Sequence, residues 1–283
     1  MRDFKAPALF LGWIKRIKAN KRIDFYNFGD IHGGSVGAVF PPGFYTRDGN
    51  EIKQNKAQAA LYEYWQDAEH TCKEFGVDTV LLMGDLIQGG NRKENAAGSL
   101  PVSLDEQVDV TTKLLAPICK DRIVLSVRGT LYHSSLDMDA ERQVARAVGA
   151  KEHNWVINGK IEGTEVKLNA LHGSSGAFVY RANAASREIL FFKEAFADGK
   201  LEDFDLLIRA HNHIFMHLDT PGKHYVINPC WQTLVPSNYS MRQYAKWQSD
   251  IGFTITFIDQ KDRVSIMHFL YPTPRFNDVM ITV

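Results

Sequence analysis

The chain has 283 residues, 45% of them hydrophobic, enough to bury a large core as one domain or as a domain with an appendage. Its 33 basic and 33 acidic residues cancel, which excludes a global field that draws in nucleic acid and leaves only a local basic surface as a route to it. Three cysteines, Cys72, Cys119 and Cys230, with no CxxC spacing, exclude a disulfide scaffold and point to a reducing, cytoplasmic compartment.

The apolar stretch Ala6 to Ile14 is too short to span a bilayer and is followed by Lys15, Arg16 and Lys18, so it is expected to pack on the domain, with no membrane partner. A β-rich run at 23–29 leads into NFGDIHGG, where the i, i+2 spacing turns Asp30 and His32 the same way in an extended segment. Residues 40–54, with Pro41, Pro42, Gly43, Tyr45 and Arg47, read as a loop, and 56–75, which holds His70, as a surface helix. The apolar run 77–83 reads as a strand buried on both faces, from which Asp85 emerges in GDLIQGG. A loop at 88–101 precedes a helix at 104–118 and a strand at 122–127, which ends in Arg128, Gly129, Thr130, Leu131, Tyr132 and His133. A helix at 137–148 is followed by strands near 154–161 and 164–171, the second delivering His172, and then by a helix at 181–197. Strands near 204–209, 223–228, 251–258 and 263–270 complete the chain, with His211 and His213 directly after the first of them. Strands alternating with helices predict an α/β sandwich, two facing mixed sheets flanked by helices, as a single domain over 1–283 with loop insertions near 40–54, 88–101 and 231–247.

Histidines and aspartates thus recur where hydrophobic strands end and glycine-containing loops begin, a placement that lets distant residues meet at one sheet edge. Nitrogen and oxygen donors without cysteine suit Mn²⁺, Fe, Zn²⁺ or Co²⁺ better than Ca²⁺ or a thiolate zinc site. Gly33, Gly34, Gly89 and Gly90 supply turn conformations and close backbone approach to phosphate. His70, His153, His217, His224 and His268 are read as structural or surface residues, His268 within a strand.

In order and context these residues resemble the calcineurin-like metallophosphoesterase family, whose motifs run DxH, GDxxxG or GDxxDR, GNHE or GNHD, a lone His, and GHxH. Asp30 and His32 stand as DxH, Gly84 and Asp85 as the second motif, His172 in ALHGSSG as the lone His, and Ala210-His211-Asn212-His213 as GHxH with alanine for glycine. Asn228 and Pro229 match the NPG stretch, with Cys230 for its glycine, so the resemblance spans roughly 23 to 230. It implies a four-layer αββα fold and two divalent ions, Mn²⁺ foremost with Fe, Zn²⁺, Co²⁺ or Ni²⁺ as alternatives. One ion is implied at Asp30, His32 and His213 and the other at His172 and His211, with Asp85 bridging. The implied activity is phosphoester hydrolysis by a metal-bridging water.

The third motif departs from the pattern. Thr130 stands at the asparagine that in the family ligates the second ion, a shorter and weaker donor. His133 lies two residues beyond the usual histidine, whose family role is to stabilise the transition state or protonate the leaving group; Asp137, Asp139 or Glu141 is expected to orient its ring. Catalytic roles are therefore expected of His133 and Asp85, with Thr130 as a weak ligand. The loops carry Asn91, Arg92, Lys93 and Asn95, then Trp231, Tyr239, Arg242, Tyr244, Lys246 and Trp247. Aromatics among basic residues fit stacking on bases beside phosphates, which favours a phosphodiester, nucleotide or nucleic-acid substrate over a monoester, although such residues also pack loops onto their own domain. A non-catalytic metal-stabilised module is the alternative that the altered third motif leaves open. The sequence does not fix the oligomeric state.

Overall fold

A computed structural model describes residues 21–90, 98–134, 139–173, 181–200, 202–233 and 249–274. The apolar stretch at 6–14, residue Asp137, half of the loop at 88–101 and most of the loop at 231–247 lie outside them.

In chain order the elements are β1 (Lys21–Phe28), β2 (Phe44–Tyr45), β3 (Glu51–Ile52), α1 (Lys56–Phe75), β4 (Thr79–Leu82), α2 (Leu104–Cys119) and β5 (Ile123–Ser126). Then come α3 (Leu131–Ser134), α4 (Ala140–Ala147), β6 (Val156–Lys160), β7 (Lys167–His172) and α5 (Arg181–Ala197). The chain closes with β8 (Leu206–Ala210), β9 (Met216–Thr220), β10 (Lys223–Ile227), β11 (Ile251–Asp259) and β12 (Val264–Tyr271). One five-stranded sheet has the order β12-β11-β1-β4-β5 and the other β6-β7-β8-β10-β9. In the first, β1, β4 and β5 run parallel. In the second, β7, β8 and β10 run parallel. Antiparallel pairs extend both sheets, β11 on β1 and β12 on β11 in the first, β6 on β7 and β9 on β10 in the second.

Side-chain alternation assigns each strand residue to a layer. Val80 and Leu82 face a core shared with α1, α2 and α4, while Leu81 and Met83 face the second sheet. Leu206, Ile208 and Ala210 meet them from the other side, and Leu207 points outward onto Ile189 of α5. Burial on both faces is why β4 continues as the apolar run Val80–Met83 and β8 opens on Leu206–Ile208. The one charge in β8, the buried Arg209, is paired with Glu188 of α5 at 2.6 Å. The result is a four-layer αββα sandwich, a metallophosphoesterase-like fold.

Helix starts are chemically specified. Asn55 and Gln58 form a reciprocal cap at α1, as do Ser103 and Glu106 at α2, each satisfying amides with no intrahelical partner. Among the described residues no helix is long and apolar enough to cross a membrane.

Two sequence expectations are corrected here. The loop at 40–54 contains the β2–β3 hairpin, and Arg47 on it forms exposed ion pairs with Asp105 and Asp109 of α2 at 2.9 and 3.1 Å. A strand not expected, β9, forms the edge of the second sheet. Of the two roles open to the aromatics of 231–247, Trp231 takes the packing one: it is fully buried against Phe28 and Trp65, where its apolar area is worth more than at the surface.

Candidate metal centre

Five strands, β1, β4 and β5 of one sheet and β7 and β8 of the other, carry the motif residues at their C-terminal exits. Asp30 and His32 follow β1, Asp85 follows β4, Thr130 and His133 follow β5, His172 ends β7, and His211 and His213 follow β8. The loop after β1 is laced to the loop after β4 by amides of Asp30, His32 and Gly33 donating to carbonyls of Gly84, Asp85 and Leu86, each at 3.0 Å.

Extended i, i+2 geometry does not orient the paired ligands. Asp30 (φ 50°), His32 (φ 49°), His211 (φ 90°) and His213 (φ 54°) all adopt left-handed backbone, as does Asp85 (φ 48°). Among the described residues these five are most of the eight non-glycine residues with positive φ, a conformation that costs about 1–3 kcal/mol each and persists where the surroundings enforce it. Strain is concentrated on the candidate ligands.

Two triangles of donors result. In the first, His32 Nε2 lies 3.1 Å from His213 Nε2, and the two are 3.7 and 3.3 Å from Asp30 Oδ1. In the second, His172 Nε2 lies 3.0 Å from Asp85 Oδ2 and 3.3 Å from His211 Nδ1, which is 3.8 Å from the same carboxylate oxygen. Between them, Asp30 Oδ1 is 3.9 Å from His172 Nε2. The residue sets Asp30–His32–His213, His32–Asp85–His133 and Asp85–His172–His211 each place their donor atoms within 4.8 Å of one another. All the sequence-nominated ligands that are His or Asp therefore meet at one place.

The donor set fits a divalent cation. Asp30 Oδ1 is buried with three imidazole nitrogens around it and no hydrogen bond of its own, an orphaned anionic oxygen that a cation would satisfy. Its Oδ2 accepts the His211 amide at 2.9 Å. His172 donates Nδ1–H to the Met83 carbonyl at 2.6 Å, which fixes the ring and turns Nε2 inward, the outer-shell pattern of metal-binding histidines.

Electrostatics show the same demand for positive charge. Burial alone would raise the Asp30 and Asp85 pKa values, but His213 and His172 hold Asp30, and His172 and His133 hold Asp85, below the usual carboxylate range. Burial would likewise lower His172, yet Asp85 and then Asp30 push it up to about 10. Burial, reinforced by the neighbouring His133, lowers His32 to about 4. Burial would lower His213 too, yet Cys230 and then Asp30 push it above the ordinary imidazole range.

The altered third motif is now located. Thr130 donates its amide to Asp85 Oδ1 at 2.7 Å, and its hydroxyl lies 3.1 Å from the same oxygen, so both groups serve the Asp85 carboxylate. His133 donates Nδ1–H to the Gln88 carbonyl at 2.7 Å and packs edge-to-face on His32 at 4.5 Å. The expectation that Asp139 or Glu141 orients this ring is corrected: Asp139 pairs with Arg128 and Arg142, and Glu141 accepts from backbone amides. A main-chain carbonyl does the orienting, a role that leaves no mark in the sequence. His211 is 46% exposed whereas His32, His172 and His213 are buried, so the cluster opens to solvent beside His211.

No family model and no curated protein matches this chain. Among solved structures it is similar to an archaeal phosphodiesterase, at 10% identity and a TM-score of 0.44, covering 87% of this chain and 100% of that one. It is also similar to zinc-complexed Vps29 from Entamoeba histolytica, at 14% identity and a TM-score of 0.40, covering 88% and 99%. A third likeness is to a predicted phosphoesterase from Streptococcus pneumoniae, at 12% identity and a TM-score of 0.36, covering 88% and 93%. The resemblance to the calcineurin-like superfamily is carried by the chain's own motif residues, in their order and in their convergence at one place.

Proposed function

We propose that this protein is a divalent-metal-dependent phosphoesterase with two ions at the strand-end cluster, Mn²⁺ foremost. The observation that carries the reading is the set of three overlapping donor groups, joined through His32 and Asp85. Asp30, His32 and His213 would hold one ion and His172 and His211 the other, with Asp85 between them. Two such ions supply the positive charge that a phosphoryl group and an attacking water require.

The remaining work falls to the chain. His133, its Nδ1 committed to Gln88, presents its other nitrogen as a proton donor for the leaving oxygen. Thr130 holds Asp85 in place through two donors. The basic and aromatic content of 88–101 and 231–247 supports a phosphodiester, nucleotide or nucleic-acid substrate. Three free, buried cysteines support a cytoplasmic location.

A second reading, a metal-stabilised binding module without turnover, is favoured by one feature: the Thr130 hydroxyl is engaged by Asp85 at the position where the family places an amide ligand. Turnover of bis(p-nitrophenyl) phosphate with Mn²⁺, abolished by Asp85→Asn, supports the enzyme. Tight Mn²⁺ binding with no turnover of that diester or of p-nitrophenyl phosphate supports the module.

A further inference from the structure

Glu141 is a buried carboxylate on the first turn of α4, outside the ligand set. Its Oε1 accepts the Leu86 amide at 3.0 Å, and its Oε2 accepts the Gly129 amide at 2.9 Å. Leu86 is the residue after Asp85, and Gly129 is the residue before Thr130. One carboxylate thus grips both neighbours of the Asp85–Thr130 contact. The two loops are pressed together at that point, since a Cβ on Gly129 would fall 2.2 Å from both the nitrogen and Oδ1 of Asp85.

Behind the carboxylate, His153 Nε2 lies 3.4 Å from Oε2, and its Nδ1 is 2.9 Å from the Ser126 hydroxyl. These groups are buried, which rules out direct work on a substrate and leaves positioning. A buried anion is costly unless its lone pairs are taken, and here they are taken by the amides of the loops that carry the bridging ligand.

We propose that Glu141 is a positioning residue that sets the Asp85 carboxylate between the two ions, by clamping the loop after β4 to the loop after β5. The inference rests on the metallophosphoesterase reading above. In Glu141→Gln the side chain keeps its size, but its amide nitrogen must face either Leu86 N–H or Gly129 N–H, so one arm of the clamp is lost.

The test is Mn²⁺ calorimetry, diester turnover and thermal melting on the wild type, Glu141→Gln and His153→Gln. Expected for Glu141→Gln is at least tenfold weaker binding at the Asp85–His172–His211 position with the Asp30–His32–His213 position little changed. The kcat falls while KM holds, and excess Mn²⁺ restores part of the rate. His153→Gln keeps both accepting oxygens, so it should shift the same quantities in the same direction but less, and it stands in if Glu141→Gln does not fold. Unchanged site affinities in a folded Glu141→Gln overturn the proposal while leaving the phosphoesterase reading intact. So does equal weakening at both positions in step with the melting temperature, which is the mark of a merely structural role. A wild type that neither binds Mn²⁺ nor turns over a diester overturns both.

Discussion

At the level of single side chains, the crowding of His172 between two carboxylates has a measurable result. Its imidazole, pushed up to about 10, carries a proton at neutral pH when no ion is present. A ligand nitrogen must be neutral, so ion binding expels that proton and affinity should climb as pH rises from 7 toward about 10. Asp30 and Asp85, held below the usual carboxylate range, are already ionised there and add no slope. Binding heats that do not change between buffers of different protonation enthalpy would contradict this. For His133, whose ring is fixed by Gln88 and packs on His32, His133→Ala should lower kcat by roughly 10²–10⁴ with both ions retained. The loss should shrink for an aryl ester, whose leaving group needs no proton. Loss of one ion in the same preparation would make His133 a ligand instead.

At the level of elements, two glycines separate local strain from contact. Gly76 caps α1 with φ 60° and has open space where a Cβ would go, so Gly76→Ala should cost about 1 kcal/mol and leave metal binding alone. Gly129→Ala drives a methyl into Asp85, and should cost about 1–3 kcal/mol from overpacking and abolish binding at the Asp85 position. Denaturant melts and calorimetry on the pair decide it, and equal losses of binding would remove the contact argument. The same contrast explains what the sequence disclosed. Strand β4 and the Leu206–Ile208 stretch of β8 were legible because burial on both faces demands apolar side chains there. The edge strand β9 alternates Met216 and Leu218, which pack inward, with His217 and Asp219, but over only five partly buried residues the pattern is too short to stand out, and α3 is a single turn. Ligand identity was legible as residue type at strand ends, but the left-handed backbone that aims Asp30, His32, His211 and His213 was not, because aspartate and histidine are common in ordinary turns too. Glu141 reads as one more acid in a helix until the fold brings two loops to it.

At the level of the whole molecule, the donor cluster joins the two sheets. Asp30, His32 and Asp85 hang from the first sheet, and His172, His211 and His213 from the second, whose direct ties at this edge include the His211 amide on Asp30 Oδ2 and the His172 ring on the Met83 carbonyl. An ion bound there crosslinks the layers and binds only the folded state, so it stabilises by mass action, about 2.7 kcal/mol at a hundredfold excess over Kd. Mn²⁺ should therefore raise the melting temperature of the wild type, chelator should reverse the shift, and Asp85→Asn should blunt it. A core change outside the donor set provides the control. Phe253 is buried on the helix-facing side of the first sheet, stacked on Phe28 and Phe269, and Phe253→Ala should cost about 3–5 kcal/mol through the cavity it leaves. Because that cavity lies on the face away from the second sheet, the mutant should melt lower yet keep the full Mn²⁺-induced increment. Identical melting of the wild type in Mn²⁺ and in chelator would show that no ion spans the sheets. An increment lost in Phe253→Ala would show that the cluster and the core are energetically one unit.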